Sequence, residues 1–304
     1  MHPVLTAIAR LLLGTSLFSS LFLSRPWFDA SEGVTLAEYA AAAYCPPETI
    51  SNWTCPRCAG LTANFEPHAV VYDEAWNLQG YVGYSSEFQK LMVVFRGTIG
   101  SSLENWIHNL MATRTQANLP GMPDDAKVHD GFYRSWTRSL LQKQVTEAVQ
   151  DVLKERGVVP VLVVGHSLGG ALATLCAAEL IYTYNLTDVQ LYTFGSPRVG
   201  NAAFAEALRN STLDHTRMTH DRDVVPTVPF EHLGFHHTAR EVWQRTVLVG
   251  RSPMTLSVEV ICDGYGEDPN CQNSICGYPG SCASVADHLE YLGVSLGSTS
   301  TSPC

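Results

Sequence analysis

The chain has 304 residues, 45% of them apolar and 16% charged, which is enough for one large α/β domain or two smaller ones. Nineteen Lys and Arg against 29 Asp and Glu leave a net charge of −10. No basic stripe interrupts that deficit, which argues against nucleic acid as a partner.

In chain order, the first feature is Arg10 ahead of an apolar run over 11–23. The run is too short to span a bilayer comfortably and fits the apolar part of a secretory leader. Residues 1–24 are therefore expected to be a signal peptide, cleaved near Ser24 or Ala30, and 25–304 a single domain. An uncleaved membrane anchor is the competing reading. Residues 34–44 read as a helix with an alanine-rich face. Strands are expected at 69–72 and 78–84, joined around Asp73 to Asn77, and at 91–95, ending at Arg96-Gly97-Thr98. A long helix is expected over 133–156, stopped by Gly157. Pro160 then opens 161–164, an apolar run without a polar break, as in a strand buried on both faces. Residues 171–180 are rich in helix formers. A strand at 189–194 closes at Gly195-Ser196-Pro197, a short helix covers 204–208, and strands follow at 216–219, 242–248 and 256–261. There is no internal repeat or low-complexity linker. Alternating strands and helices with right-handed crossovers predict a mostly parallel sheet covered on both faces.

Nine cysteines are present. Cys45, Cys55 and Cys58 lie early, Cys262, Cys271, Cys276, Cys282 and Cys304 late, and Cys176 falls within the 171–180 helix. Clustering near both ends suits the stapling of termini and loops in an oxidising compartment, so secretion is expected. Cys55-Pro56-Arg57-Cys58 has no matched second pair for zinc, and Cys176 reads as a small core residue. Glycosylation sequons occur at Asn52, Asn185 and Asn210, which agrees with export.

The chemistry is carried by Gly165-His166-Ser167-Leu168-Gly169. This G-x-S-x-G runs directly out of a strand and into a helix. The turn lifts a serine hydroxyl off the sheet edge and aims a helix N-terminus, with its free N–H groups, at a developing oxyanion. Gly165 and Gly169 remove side chains that would collide where the chain reverses. A serine needs a base, and the base an orienting acid. With the order Ser, Asp, His, Asp223 is the candidate acid because it follows the 216–219 strand at the sheet's expected C-terminal edge. Asp221 is its rival, with a turn or cap as the alternative role. His288, in Asp287-His288-Leu289-Glu290-Tyr291, is the candidate base. His232, His236 and His237 follow Asp223 too closely and read as packing residues. They lack a carboxylate at suitable spacing for a metal, so no metal or cofactor is expected. The oxyanion donors are expected to be Leu168 N–H and Thr98. After Thr98, Leu103, Trp106, Ile107 and Leu110 form one apolar stripe, opposite Glu104, Asn105, His108 and Asn109. Such a short helix beside the oxyanion loop is a candidate lid that turns its apolar face to a lipid surface. A fixed core helix is the plainer alternative.

The chain resembles the fungal class 3 triacylglycerol lipases, a group of α/β-hydrolases that includes feruloyl esterases. The resemblance rests on Phe95-Arg96-Gly97-Thr98, Glu104-Asn105-Trp106-Ile107, Val128-His129-Asp130-Gly131-Phe132, the glycine-flanked Ser167, Tyr192 through Asn201, Asp223-Val224-Val225-Pro226 and Asp287 through Tyr291. These segments are colinear and run from about Val34 to the C-terminus. The resemblance implies an α/β-hydrolase fold with a short helical lid, Ser167 as nucleophile, Asp223 as acid, His288 as base, Thr98 and Leu168 at the oxyanion and the Trp106 helix as lid. It makes His237, Glu241 and Trp243 a structural segment. It implies disulfides Cys45–Cys304, Cys55–Cys58 and Cys262–Cys271. Cys276 and Cys282, without an obvious counterpart, pair by elimination and close an insertion before His288.

The expectation is thus a secreted, monomeric serine carboxylester hydrolase, a triacylglycerol lipase-type enzyme acting on acylglycerols at a lipid–water interface. The net charge favours neutral lipid over anionic bilayers. An esterase for soluble or cell-wall esters, feruloyl esters included, is the rival within the class. A non-catalytic lipase-like binding protein is the rival outside it.

Overall fold

The computed structural model describes residues 28–99, 103–108, 110, 113–238, 240–248, 255–278, 280–297 and 304. The expected leader, the Gly100 to Ser102 segment and the side chain of Trp106 lie outside the described residues. In chain order the elements are α1 (Ala30–Ala42), α2 (Pro47–Ser51), β1 (Phe65–Asp73), β2 (Leu78–Ser85), β3 (Lys90–Phe95), α3 (Leu103–His108), β4 (Arg114–Gln116) and β5 (Lys127–His129). They continue with α4 (Asp130–Thr137), α5 (Leu141–Arg156), β6 (Val161–His166), α6 (Leu168–Tyr182), β7 (Val189–Phe194) and α7 (Ala202–Arg209). The last are β8 (Asp214–His220), β9 (Glu241–Leu248), β10 (Thr255–Ile261), α8 (Asn273–Cys276), β11 (Glu290–Tyr291) and β12 (Val294–Ser295).

Eight strands form one sheet in the order β1-β2-β3-β6-β7-β8-β9-β10. The central pairings from β3 through β9 are parallel, and the flanking β1–β2, β2–β3 and β9–β10 pairings are antiparallel. The sheet is therefore mixed but parallel where the G-x-S-x-G strand lies. Side chains alternate across it with a period of two. Leu91, Val93, Phe95, Val161, Val163 and Leu191 pack toward α4, α5 and α6. Met92, Val94, Leu162, Val164 and Phe194 pack toward α1 and the β11–β12 hairpin. Helix α6 is buried from Leu168 through Leu180 because it is enclosed on all sides, which explains its lack of a polar stripe.

Two expectations change. The helix anticipated over 133–156 is two helices, α4 and α5, broken at Arg138-Ser139-Leu140. The break has an identifiable cause: the buried Asp73 carboxylate, at the end of β1, accepts Leu140 N–H through Oδ2 at 2.8 Å and Trp76 N–H through Oδ1 at 3.1 Å. That carboxylate supplies the first turn of α5 with an acceptor from 67 residues away in the chain, a signal no local pattern carries. Helix α1 starts at Ala30 rather than at 34, because Asp29 caps it by accepting Ser31 N–H at 2.9 Å. The small β4–β5 hairpin had no sequence signal.

Candidate active site

Strand β6 delivers Ser167 to the C-terminal edge of the sheet, and α6 begins immediately after it. Ser167 is held at φ 59° and ψ −130°, a conformation that L-residues occupy only when their surroundings enforce it. Its N–H donates to Phe194 O at 3.0 Å and its carbonyl accepts Gly170 N–H at 2.9 Å. Close packing makes glycine obligatory on both sides of the turn: a Cβ on Gly165 would lie 2.1 Å from Gly169 O, and one on Gly169 would lie 2.3 Å from Phe95 O. The Ser167 hydroxyl is buried and has no hydrogen-bond partner among the described residues.

His288 and Asp223 meet beside it. His288 Nδ1 lies 2.8 Å from Asp223 Oδ2, with both side chains fully buried. The Asp223 carboxylate also accepts Val225 N–H through Oδ1 at 2.8 Å and the Tyr291 hydroxyl through Oδ2 at 2.5 Å. A carboxylate only accepts, so the proton of its bond to His288 sits on Nδ1. His288 Nε2 is itself buried, without a partner among the described residues. Gly195, at the end of β7 with φ +56°, makes room for the pair: a Cβ there would stand 2.7 Å from Asp223 Oδ2 and 2.8 Å from His288 Nδ1.

Thr98 lies just beyond β3, and its Oγ1 is a further buried polar atom without a partner among the described residues. The chain reaches it in a fixed path. Arg96 Nη2 donates to Asn77 O and Oδ1, and Gly97 N–H donates to the Tyr44 hydroxyl at 3.2 Å. Leu168, first residue of α6, is buried next to Ser167 with its N–H at a helix N-terminus.

Other candidates are drawn into structural roles. Asp221 does not reach His288: its Oδ1 accepts Thr246 N–H at 2.9 Å and its Oδ2 lies 3.4 Å from His220 Nε2. His232 is exposed and stacks on Phe230, and His236 Nε2 bonds Tyr265 O at 3.0 Å. His237 is buried, with Nε2 donating to Pro226 O at 2.8 Å, and burial holds its ring far below the usual imidazole range. Glu241 accepts from Arg217 and Thr219, and Trp243 donates to Asp221 O. The histidines do not gather. Among the described residues, Cys262, Asp268 and Cys271 bring ligand-type atoms together, but the two sulfurs are bonded to each other. Further disulfides join Cys45 to Cys304, Cys55 to Cys58 and Cys276 to Cys282. Cys176 is free and buried in α6, where burial pushes its thiol well up. Asn52, Asn185 and Asn210 are exposed. In α3, Leu103 is buried, Ile107 is half-buried and Asn105 is exposed, and Leu110 just beyond packs against the main core.

Tyr291, Tyr44, His166 and His220 all touch this site and were not singled out by sequence reasoning for a role there. Two of them had a local signal: His166 is the residue before the serine of the G-x-S-x-G turn, and Tyr291 stands three residues after His288.

The site thus has two halves, a strained serine at a strand-to-helix turn and a buried Asp–His pair packed against Gly195. The profile of the family described as Lipase (class 3) matches residues 92–233. A lipase from Rhizomucor miehei is 32% identical over 250 residues, covering 81% of this chain and 64% of the relative. The secreted mono- and diacylglycerol lipase A of Penicillium camembertii is 31% identical over 218 residues, covering 68% of this chain and 67% of the relative. The chain belongs to the class 3 lipase family. The fold agrees: lipase II from Rhizopus niveus superposes with a TM-score of 0.75 at 30% identity, over 88% of this chain and 96% of that one. Membership accounts for the mixed sheet with its parallel centre, an α/β-hydrolase architecture, and for the colinear motifs from Phe95 to Tyr291. The chain spans a little under two thirds of the Rhizomucor relative's length.

Proposed function

We propose that this class 3 lipase is a secreted serine carboxylester hydrolase of the triacylglycerol lipase type, cleaving acylglycerol esters at a lipid–water interface. The observation that carries the reading is the buried His288–Asp223 pair at 2.8 Å, with Ser167 Oγ, His288 Nε2 and Thr98 Oγ1 buried at the same sheet edge and unpartnered among the described residues. Unsatisfied buried polar atoms are costly, and three together are explained by a ligand they are kept ready for. His288 Nε2 takes the Ser167 proton as Oγ attacks the acyl carbonyl. Asp223 holds the imidazole tautomer and stabilises the imidazolium. Leu168 N–H, Thr98 N–H and the Thr98 hydroxyl face the oxyanion. His288 then protonates the departing alcohol, and water activated by the same nitrogen releases the fatty acid. Ser167 Oγ and His288 Nε2 share no hydrogen bond in this state, so their bond forms as substrate enters.

The lipid interface is supported by α3, a short helix after the oxyanion segment with Leu103 buried and Ile107 half-buried. Opening it would expose those side chains to lipid. The disulfides, together with the secreted Penicillium relative, support export. A fixed α3 would favour the soluble-ester reading instead.

The test is the rate on a short-chain triglyceride as its concentration crosses the solubility limit, with Ser167→Ala as blank. A jump as droplets form supports a mobile lid and a lipase. Smooth saturation below the limit moves the assignment to a soluble-ester hydrolase. Absence of Ser167-dependent hydrolysis on several esters refutes catalysis.

A further inference from the structure

His288 sits in a single 3-10 turn, Asp287–Leu289, between a loop and the two-residue strand β11. No long element fixes it. Its place relative to Ser167 therefore depends on what grips its backbone. Two imidazoles do so. His166 Nε2 lies 2.9 Å from His288 O, and His220 Nδ1 lies 2.9 Å from Asp287 O. His166 ends β6 and His220 ends β8, while Gly195 follows β7, which pairs with both strands. The turn carrying the base is thus held across the ends of three adjacent strands, from the two outer ones.

Because a carbonyl only accepts, both protons are located: His166 carries one on Nε2 and His220 one on Nδ1. Burial holds the His166 ring far below its usual range, and the neighbouring His288 ring, centred 4.5 Å away, adds to this. His166 is therefore neutral, and its Nδ1 is an acceptor. The Tyr44 hydroxyl donates to that Nδ1 at 2.6 Å while itself accepting Gly97 N–H. One run of hydrogen bonds leads from the residue before Thr98 to the backbone of His288.

The geometry points to His166 and His220 as positioning residues for the base, a clamp of two imidazoles that sets where His288 Nε2 stands relative to Ser167, with Tyr44 fixing the His166 tautomer. This rests on the catalytic reading of His288 given above.

The two grips use different ring nitrogens, which makes a crossed test possible. His166→Gln keeps a donor at the ε position and His166→Asn does not. His220→Asn keeps a donor at the δ position and His220→Gln moves it. Two readouts apply to each full-length variant: kcat and KM on a short, soluble p-nitrophenyl ester, and the downfield proton resonance of His288 Nδ1–H bonded to Asp223, assigned by its loss in Asp223→Ala. The clamp predicts that His166→Gln and His220→Asn keep kcat within about threefold and keep the resonance. His166→Asn and His220→Gln are expected to lose about tenfold to a hundredfold in kcat, the scale of an ångström-level misplacement, with KM little changed and the resonance broadened or lost. Tyr44→Phe, which keeps the ring and its packing, should lose about fivefold in kcat. A role in packing alone would not follow the nitrogen position. Equal effects within each pair, or retained kcat and resonance in His166→Asn, overturn the clamp. Should the parent show no Ser167-dependent turnover, the catalytic reading fails, and the resonance still decides whether the clamp orders His288.

Discussion

The Tyr291 hydroxyl lies 2.5 Å from Asp223 Oδ2, the same oxygen that His288 Nδ1 approaches at 2.8 Å. One carboxylate oxygen therefore serves both the candidate base and a buried phenol. Burial raises the Tyr291 hydroxyl's pKa well above its usual value, with the Asp223 charge adding to it, so the phenol stays a donor at all working pH.

Tyr291→Phe removes that donor from a fully buried carboxylate. The expected outcome is a fall of about tenfold in kcat with KM little changed, because a hydrogen bond to a charged group is worth about 1.5–3 kcal/mol and part of that loss reaches the Asp–His pair. Steady-state kinetics on a soluble ester check it; an unchanged kcat would make Tyr291 a packing residue.

Asp223 and Asp221 stand two residues apart and have separable roles. Asp223→Ala is expected to lower kcat by roughly 10⁴, by analogy with other orienting acids. Asp221→Ala should leave kcat within a few-fold and lower thermal stability, since it unpairs Thr246 N–H at the start of the β9 tail. Equal losses in kcat would remove the distinction.

Trp106→Ser should weaken hydrolysis of emulsified triglyceride much more than hydrolysis of a short soluble ester. Helix α3 buries Leu103 in this state and must present its apolar side chains when it moves. Proportional losses on both substrates would mark α3 as a fixed part of the core.

Arg198 and Glu267 tie the loop after β7 to the loop after β10 that the Cys262–Cys271 disulfide closes. Arg198 Nε and Nη2 each donate to one Glu267 oxygen at 2.8 Å, and Nη1 donates to Thr227 O at 2.7 Å. Burial pushes the Glu267 carboxyl up, but the Arg198 hydrogen bonds and the positive charges around it outweigh this and hold it well below its usual 4.5. A carboxyl lowered by folding contributes stability that is fully present above its unfolded value and is lost as pH falls toward the folded one. Melting temperature should therefore drop below about pH 5 in the parent. Glu267→Gln should flatten that drop and cost about 3–5 kcal/mol at neutral pH, because it leaves Arg198 buried without its partner. A parallel acid profile for parent and variant would exclude Glu267 as a source of the pH dependence.

Strand–turn–helix chemistry is local, and so it was legible without coordinates. The apolar run before Gly165, the two glycines and the helix formers after Ser167 each state their own conformational reason. The unbroken apolar runs of β3 and β6 likewise announced strands buried on both faces. The two-helix break at Ser139 was not legible, because Asp73 supplies the acceptor from another strand. The lid stripe was visible as a pattern, but a pattern does not say whether a helix moves.

What the sequence determined by itself, then, was a serine turn at a parallel strand end, an acid and a histidine following in order, and the classes of partner that a charge of −10 disfavours. The turn depends on residue types within a few positions of one another, the acid and the histidine on their order along the chain, and the charge on a total over it. The tertiary structure alone decided which groups share an oxygen of Asp223, which imidazoles hold the turn of His288, and that Asp221 turns away to β9. Those contacts join residues 25 to 122 positions apart, from Asp221 with Thr246 to Tyr44 with His166. Hydrogen-bond partners at that separation are set by how strands stack side by side, and no local propensity encodes them.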